Sequence, residues 1–274
     1  MQIISRGHAG YPGRLAVLAD GPDPIWIAGH YSGSARAVAV VGARAASRGA
    51  LDRARALGAG LSRAGVDVVS GGAFGVDAAA HEGALEAGGV TIAVLGTGID
   101  VAYPSQHAPL YQRIVQSGGA LVSQFAPGTL PRAGQFPTRN KVIAALAEVV
   151  VVVEASERSG SLYTAKAARL LGRKLAAASG SIGCDRLLID GALPIDGADD
   201  VLAVLEGRPL AEPSPPDDPE AARLYAALDR VPRDVGDLAY RAGIAVGTCA
   251  ACAIDLEMGG WAARAAGGRY VRLR

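Results

Sequence analysis

From residue 37 onward the chain repeats one unit: a short, predominantly apolar and β-branched run, a turn rich in Gly or Ser, then a segment with the length and composition of a helix. The runs are residues 37–41, 66–69, 91–95, 120–123, 149–153 and 174–178. Continuous rather than alternating apolarity fits strands buried on both faces of a parallel sheet. The segments between them, 49–64, 77–87, 110–117, 141–147 and 162–171, fit crossover helices. The pattern predicts an α/β fold, a doubly wound Rossmann-like parallel sheet, with binding loops beyond the carboxyl ends of the strands. The 37 glycines among 274 residues follow no collagen-like period, so many of these turns require a permissive backbone.

The flanks are organised differently. Residues 1–35 form a short N-terminal extension, Gly- and Pro-rich between 10 and 29, expected to pack on the core as irregular chain or short helices. The Rossmann-like domain spans 36–210, and 211–219, with four prolines between 212 and 219, reads as a linker. Residues 220–274 show three short helical patterns, at 220–228, 234–242 and 246–258, then a strand pair across 261–273 around Gly267-Gly268. That order predicts a small C-terminal winged-helix-like domain.

With 50% apolar and 19% charged residues, disorder is excluded for the bulk of the chain. No stretch reaches the roughly 18 uninterrupted apolar residues of a membrane span, since the longest, 142–153, is broken by Glu148. The first residues show no secretory pattern, and three cysteines are too few and too oddly counted for a disulfide framework. The expectation is a cytoplasmic protein without membrane contact.

Charge is balanced overall but unevenly placed. Residues 36–63 carry six basic side chains against one acidic, and 132–174 eight against three, whereas 64–131 and 175–216 are acidic. A neutral chain of this kind can present a positive surface to a polyanion, although helices also vary in charge by chance.

The loops supply the candidate contacts. Gly42-Ala43-Arg44-Ala45-Ala46-Ser47 places Ser47 as a helix N-cap with an arginine beside it, which fits both a structural turn and an anion site. Ser70-Gly71-Gly72-Ala73-Phe74-Gly75 leads into a second helix, its glycines permitting close backbone approach to a ligand. His81, one turn after Asp77, fits a packed residue better than a catalytic one. The loop 96–104 ends on Tyr103-Pro104 and is expected to be conformationally fixed. Phe136-Pro137-Thr138-Arg139-Asn140-Lys141 joins an aromatic face to two cations and an amide, the combination with which single-stranded nucleic acids are held. Ser159-Gly160-Ser161 opens a further helix that carries Lys166. These helix starts should converge on one edge of the sheet.

There is no Gly-x-Gly-x-x-Gly fingerprint, P-loop or acidic residue closing the second strand, so no nucleotide cofactor is expected. His8, His30, His81 and His107 are scattered, and Cys249 and Cys252 have no second pair, so no metal is expected either; both cysteines should lie in the core of the small domain. Ser70 and Ser159 lack His and acid partners in a recognisable order, which leaves nucleophilic catalysis unsupported.

In order along the chain, Tyr11-Pro12, Gly42-x-Arg44-x-x-Ser47, Ser70-Gly71 with Gly75-Val76-Asp77-x-x-x-His81, Gly96-Thr97-Gly98-Ile99-Asp100-x-x-Tyr103-Pro104, Phe136-Pro137-x-Arg139-Asn140 and Ser159-Gly160-Ser161-Leu162-x-Thr164-Ala165 resemble the DprA/Smf family. The resemblance spans residues 11–205 and the C-terminal module. It implies a homodimeric, non-enzymatic protein that binds and protects single-stranded DNA, meets RecA and helps load it in place of single-strand-binding protein, in natural transformation or recombination. The contacts implied are Arg44, Ser47, Gly71, Gly72, Phe74, Phe136, Arg139, Asn140, Lys141, Ser159, Gly160, Ser161 and Lys166. The chain departs from the family pattern at Phe74, where a basic residue is usual, at Gln124, where Glu is usual, and in the short loop 179–183. The third helix of the module, 246–258, carries Asp255 and Glu257 and no cation, so it is not expected to read duplex sequence.

Two other readings are open. One is a nucleotide-cleaving phosphoribohydrolase of the lysine-decarboxylase-like Rossmann group, against which the missing Pro-Gly-Gly-x-Gly-Thr motif counts. The other is a nucleotide-sensing domain with a regulatory winged helix.

Overall fold

A computed structural model describes residues 1–31, 33, 36–211 and 216–273. The strands are β1 (Gln2–Ile4), β2 (Ile25–Gly29), β3 (Ala37–Val41), β4 (Asp67–Ser70), β5 (Thr91–Leu95), β6 (Ala120–Ser123), β7 (Val149–Val152), β8 (Lys174–Ala177), β9 (Leu193–Pro194), β10 (Ala262–Ala265) and β11 (Arg269–Arg272). The helices are α1 (Arg48–Arg63), α2 (Val76–Glu86), α3 (Ala108–Gln116), α4 (Gln135–Leu146), α5 (Ser161–Leu170), α6 (Ile182–Ile189), α7 (Ala198–Glu206), α8 (Pro219–Ala227), α9 (Val235–Ala242) and α10 (Val246–Met258).

The nine-stranded sheet has the order β1-β2-β6-β5-β4-β3-β7-β8-β9. From β6 to β9 neighbouring strands run parallel, and the apolar runs of β3, β5, β6 and β7 are buried along their whole length, as continuous apolarity requires. The chain winds outward from β3 through β4, β5 and β6, then returns to lay β7 on the other side of β3. The order therefore reverses between β3 and β7, and the loops leaving their carboxyl ends diverge and open a crevice there. Helices α1, α2 and α7 cover one face around Leu57, Leu61 and Val204. Helices α4, α5 and α6 cover the other around Ile143, Leu146 and Leu188.

The N-terminal extension departs from the expectation of irregular chain or short helices. It holds one 3-10 turn (Gly13–Val17), but it also lengthens the sheet, since β1 and β2 pair antiparallel with each other and β2 pairs antiparallel with β6. Antiparallel addition needs no crossover helix, and Ile25 and Ile27 are the buried positions of a five-residue strand. Helix α4 begins six residues before the predicted 141, because Pro137 lies in its first turn, where the N–H it lacks would have had no intrahelical acceptor. Two of the four prolines that suggested a linker lie at 212–215, outside the described residues, and Pro219 belongs to α8, capped by Asp218.

The C-terminal module has the predicted order: three helices, then β10 and β11 paired antiparallel across a turn with Gly267 and Gly268 at positive φ. Cys249 and Cys252 are buried in its core with Leu224 and Leu238. Ala263, Val271 and Leu273 join the hydrophobic cluster that includes Leu187 and Leu188 of α6, so the module packs onto the sheet domain. Among the described residues no single helix is long and apolar enough to cross a membrane.

Candidate functional site

The crevice at the β3/β7 switch point has a volume of about 940 Å³. Five loops line it: 42–45 after β3, Ala73 and Asp77 around the start of α2, Tyr103 in the loop after β5, 131–140 leading into α4, and 154–164 leading into α5. The expected convergence of helix starts is thus present, and with it Arg44, Phe136, Arg139, Asn140, Ser159, Gly160 and Ser161. Gly71 and Phe74 line an adjoining pocket that shares Arg44, Phe136 and Arg139. Ser47 sits beside Glu154 at the rim.

Burial divides these residues by role. Arg44 and Arg132 are exposed and line the crevice, and the Arg44 guanidinium stands 5.4 Å from the centre of the Phe136 ring. Arg139 differs: it is only 5% exposed. Its guanidinium donates to the Gly71 and Val94 carbonyls, both at 2.6 Å, and to Asn140 Oδ1 at 3.1 Å. It is therefore a strut across the ends of β4 and β5, with its guanidinium donors turned to the protein's own carbonyls. Asn140 carries the strut onward, donating to the Gly160 carbonyl at 3.1 Å and so tying α4 to the loop before α5.

The glycines of the second loop have a different use from the one expected. Gly72 has a φ of +69°, and a β-carbon there would meet the Tyr111 hydroxyl at 2.6 Å; at Gly71 it would meet the Arg139 guanidinium at 2.8 Å. The close approach these residues permit is made by Arg139 and Tyr111, not left open for a ligand. The Gly71 N–H is also taken, since Asp77 Oδ2 accepts from Gly71 and Ala73. Burial raises the Asp77 pKa, and the nearby Arg139 charge and these N–H bonds oppose the rise.

The N-terminus of α1 is likewise occupied by the protein itself. Glu154 accepts from the main-chain N–H of Ser47 at 3.1 Å and from its hydroxyl at 2.5 Å, while Ser47 Oγ caps Ala50 as the sequence predicts. Two of the expected anion-binding helix starts thus already hold a carboxylate. The third, at α5, presents Ser159 and Ser161 hydroxyls 2.8 Å apart. Lys141 turns the other way, to Asp20 at 3.3 Å, and lines a separate groove with Gln124; Lys166, exposed on α5, lines none of the pockets described. Neither lines the crevice itself.

His81 is fully buried. Thr91 Oγ1 donates to the Val68 carbonyl and so accepts from His81 Nδ1 at 2.7 Å, leaving Nε2 without a partner. Burial lowers its pKa to about 3, which removes it from proton transfer at neutral pH.

Sequence reasoning missed Tyr103, Arg132, Glu154 and Tyr163, all of which line the crevice. Tyr103 precedes a cis proline and its ring lies 5.6 Å from Phe136. The signal for it was present in the Tyr-Pro loop end; Arg132 and Tyr163 stand alone on a loop and a helix face and carry none.

The family model for DNA recombination-mediator protein A matches residues 2–206, and that for the DprA winged helix domain matches 208–268. A Mycobacterium tuberculosis (strain H37Rv) protein that carries the name DNA processing protein DprA is 47% identical over 173 residues, covering 61% of this chain and 44% of that relative. The chain thus aligns with less than half the length of that protein. The X-ray structure of DNA processing protein A from Streptococcus pneumoniae superposes with a TM-score of 0.68 at 38% identity, covering 74% of this chain and 73% of that one. A structure of DNA processing protein A from Helicobacter pylori, describing its single-stranded DNA binding mode, gives a TM-score of 0.68 at 27% identity, covering 75% and 95%.

Proposed function

Because the chain belongs to the DNA recombination-mediator protein A family, we propose that it binds single-stranded DNA along the β3/β7 crevice and acts as a non-enzymatic recombination mediator. On this reading it works in the cytoplasm as a homodimer and passes the strand to RecA in exchange for single-strand-binding protein. One observation carries the binding step: exposed Arg44 and Arg132 flank the rings of Tyr103, Phe136 and Tyr163 in a single crevice. Cations spaced along aromatic faces match alternating phosphates and unpaired bases, whereas a duplex keeps its bases stacked away from such rings. Ser159, Ser161 and the Gly160 main chain would complete the phosphate track at the start of α5, with Ser47 at the rim. The single-stranded DNA binding described for the Helicobacter pylori relative supports the same ligand.

A binding role rather than phosphoribohydrolase catalysis also fits how the polar groups are used. Ser47 is held by Glu154, Asp77 by main-chain N–H groups, and His81 by Thr91. The test is fluorescence anisotropy of labelled oligo-dT and of a duplex at two salt concentrations, for the wild type and Arg44→Ala/Arg132→Ala. A preference for the single strand, with weaker affinity and a reduced salt dependence in the double variant, is the expected result; absence of binding to either DNA rejects the proposal.

A further inference from the structure

Beside the crevice lies a second pocket of about 390 Å³, in the size range of small-ligand clefts. It shares Arg44, Tyr103 and Phe136 with the crevice, and its outer wall is Phe74, from the turn between β4 and α2. Phe74 is 44% exposed and Tyr103 43%, although both are large aromatic side chains that would ordinarily be covered.

Phe74 is held from behind. The His107 ring meets it edge-on at 4.7 Å, and His107 Nδ1 is 2.8 Å from the Gly72 carbonyl. The same carbonyl accepts from the Tyr111 hydroxyl at 3.0 Å, and Asp77 fixes the neighbouring Ala73 N–H. The turn bearing Phe74 is therefore set before any ligand arrives, and little ordering entropy is left to lose on binding. Across the pocket, Tyr103 and Phe136 form a second aromatic wall with the Arg44 guanidinium beside it.

Planar apolar walls with a cation at the opening suit a nucleobase whose phosphodiester stays outside. The inner cation of the lining, Arg139, is already committed to main-chain carbonyls, so an isolated anion would find few donors inside. Continuity with the crevice identifies the occupant as the next base of the same strand.

Building on the single-strand reading above, we infer that this pocket is a nucleobase subsite in which Phe74 stacks on one unpaired base while Arg44 meets the adjacent phosphate. Phe74 is then a determinant of preference for single over double strands, because a paired base cannot enter without leaving its helix.

The test measures anisotropy at fixed salt with the full chain, using oligo-dT, an oligomer of the same length built of abasic sites, and a duplex. Phe74→Leu should weaken oligo-dT binding about 5- to 150-fold, the range given by one lost stack of about 1–3 kcal/mol. Phe74→Trp should restore the affinity that Leu loses. The abasic oligomer and the duplex should not distinguish Phe74→Leu from wild type, since neither offers a base to stack. Equal oligo-dT affinity in Phe74→Leu and wild type overturns the subsite, as does an equal loss on abasic and base-bearing strands. Loss in Arg44→Ala alone would remove the subsite and leave the single-strand reading intact, whereas no oligo-dT binding by the wild type removes both.

Discussion

Replacing Arg139 by Met removes a charge that lies almost wholly inside the protein, and the structure sets the size of the effect. The Gly71 and Val94 carbonyls each lose a donor at 2.6 Å, at a cost of about 1 kcal/mol apiece. Asp77 loses the positive charge that opposes the rise of its pKa, so its ionised form is left buried with main-chain N–H groups as its remaining support. The two contributions separate with pH. With Arg139 gone the folded-state pKa of Asp77 moves further above its unfolded value, so the folded variant holds a proton that the unfolded chain releases. Its stability must therefore fall as pH rises through that interval, and only the carbonyl cost survives at acid pH. Urea unfolding followed by circular dichroism at constant ionic strength should show a deficit of about 2 kcal/mol at acid pH that grows as the pH is raised. Asp77→Asn/Arg139→Met should lose the added pH dependence. A deficit below about 1 kcal/mol, or one constant across the range, would refute the assignment of Arg139 as a buried strut and return it to the ligand.

Other outcomes follow from the same geometry. Arg44→Ala and Arg132→Ala should each reduce the slope of log K against log salt for oligo-dT by about 0.7, the value for one single-strand phosphate, while Lys141→Ala leaves it unchanged; a drop with Lys141→Ala would place the strand in the Gln124 groove instead. Gly72→Ala should destabilise by about 2 kcal/mol or more, because the residue sits at a φ of +69° against Tyr111, and a neutral substitution would contradict that packing. Asp67 is half-buried at the start of β4, and burial raises its pKa from 3.8 to about 6, with Arg14 opposing. A raised carboxylate pKa makes the wild type lose stability as pH climbs from about 4 to 6. Asp67→Asn should be more stable by about 1 kcal/mol above pH 6, after allowance for solvent screening at this partly exposed site, with no gain below pH 4. Parallel pH profiles for the two proteins would contradict it.

The sheet was readable because its signal is redundant. Five valine- and alanine-rich positions in β3 admit no face for water, and six such runs at regular intervals leave few topologies open. The N-terminal strands escaped because they stand outside the repeating unit: β1 spans only three residues, and β2, which follows Pro24 and ends on Gly29, alternates buried and half-buried positions instead of being buried along its whole length. The site was legible as a set of loops but not as a set of contacts. Sequence places Arg139 beside an aromatic residue, which suggests a ligand, yet nothing in the order Phe-Pro-Thr-Arg-Asn-Lys says that the fourth residue turns inward to Val94 and the sixth outward to Asp20. A helix turns about 200° between those two positions, so at most one could face the crevice from either side. In the same way a glycine-rich turn admits any close neighbour, and only the placement of Tyr111 and Arg139 shows that the neighbours are the protein's own.

The charge pattern leads to a related conclusion about how the crevice can hold DNA. The basic blocks at 36–63 and 132–174 suggest a broad positive surface, but much of that charge is used internally. Arg48 pairs with Asp52, Arg55 with Glu86, and Lys141 with Asp20; Arg139 and Arg173 donate to main-chain carbonyls. Glu154 adds a negative charge within the crevice itself. Two exposed arginines there, with Glu154 beside them and Asp77 buried behind, can release few counterions, so the electrostatic share of the affinity must be modest and its salt slope shallow. Tight binding then has to come from the bases. That is the condition under which Tyr103, Phe136, Tyr163 and Phe74 decide affinity, and under which a strand with its bases removed should bind far more weakly than its charge alone would suggest.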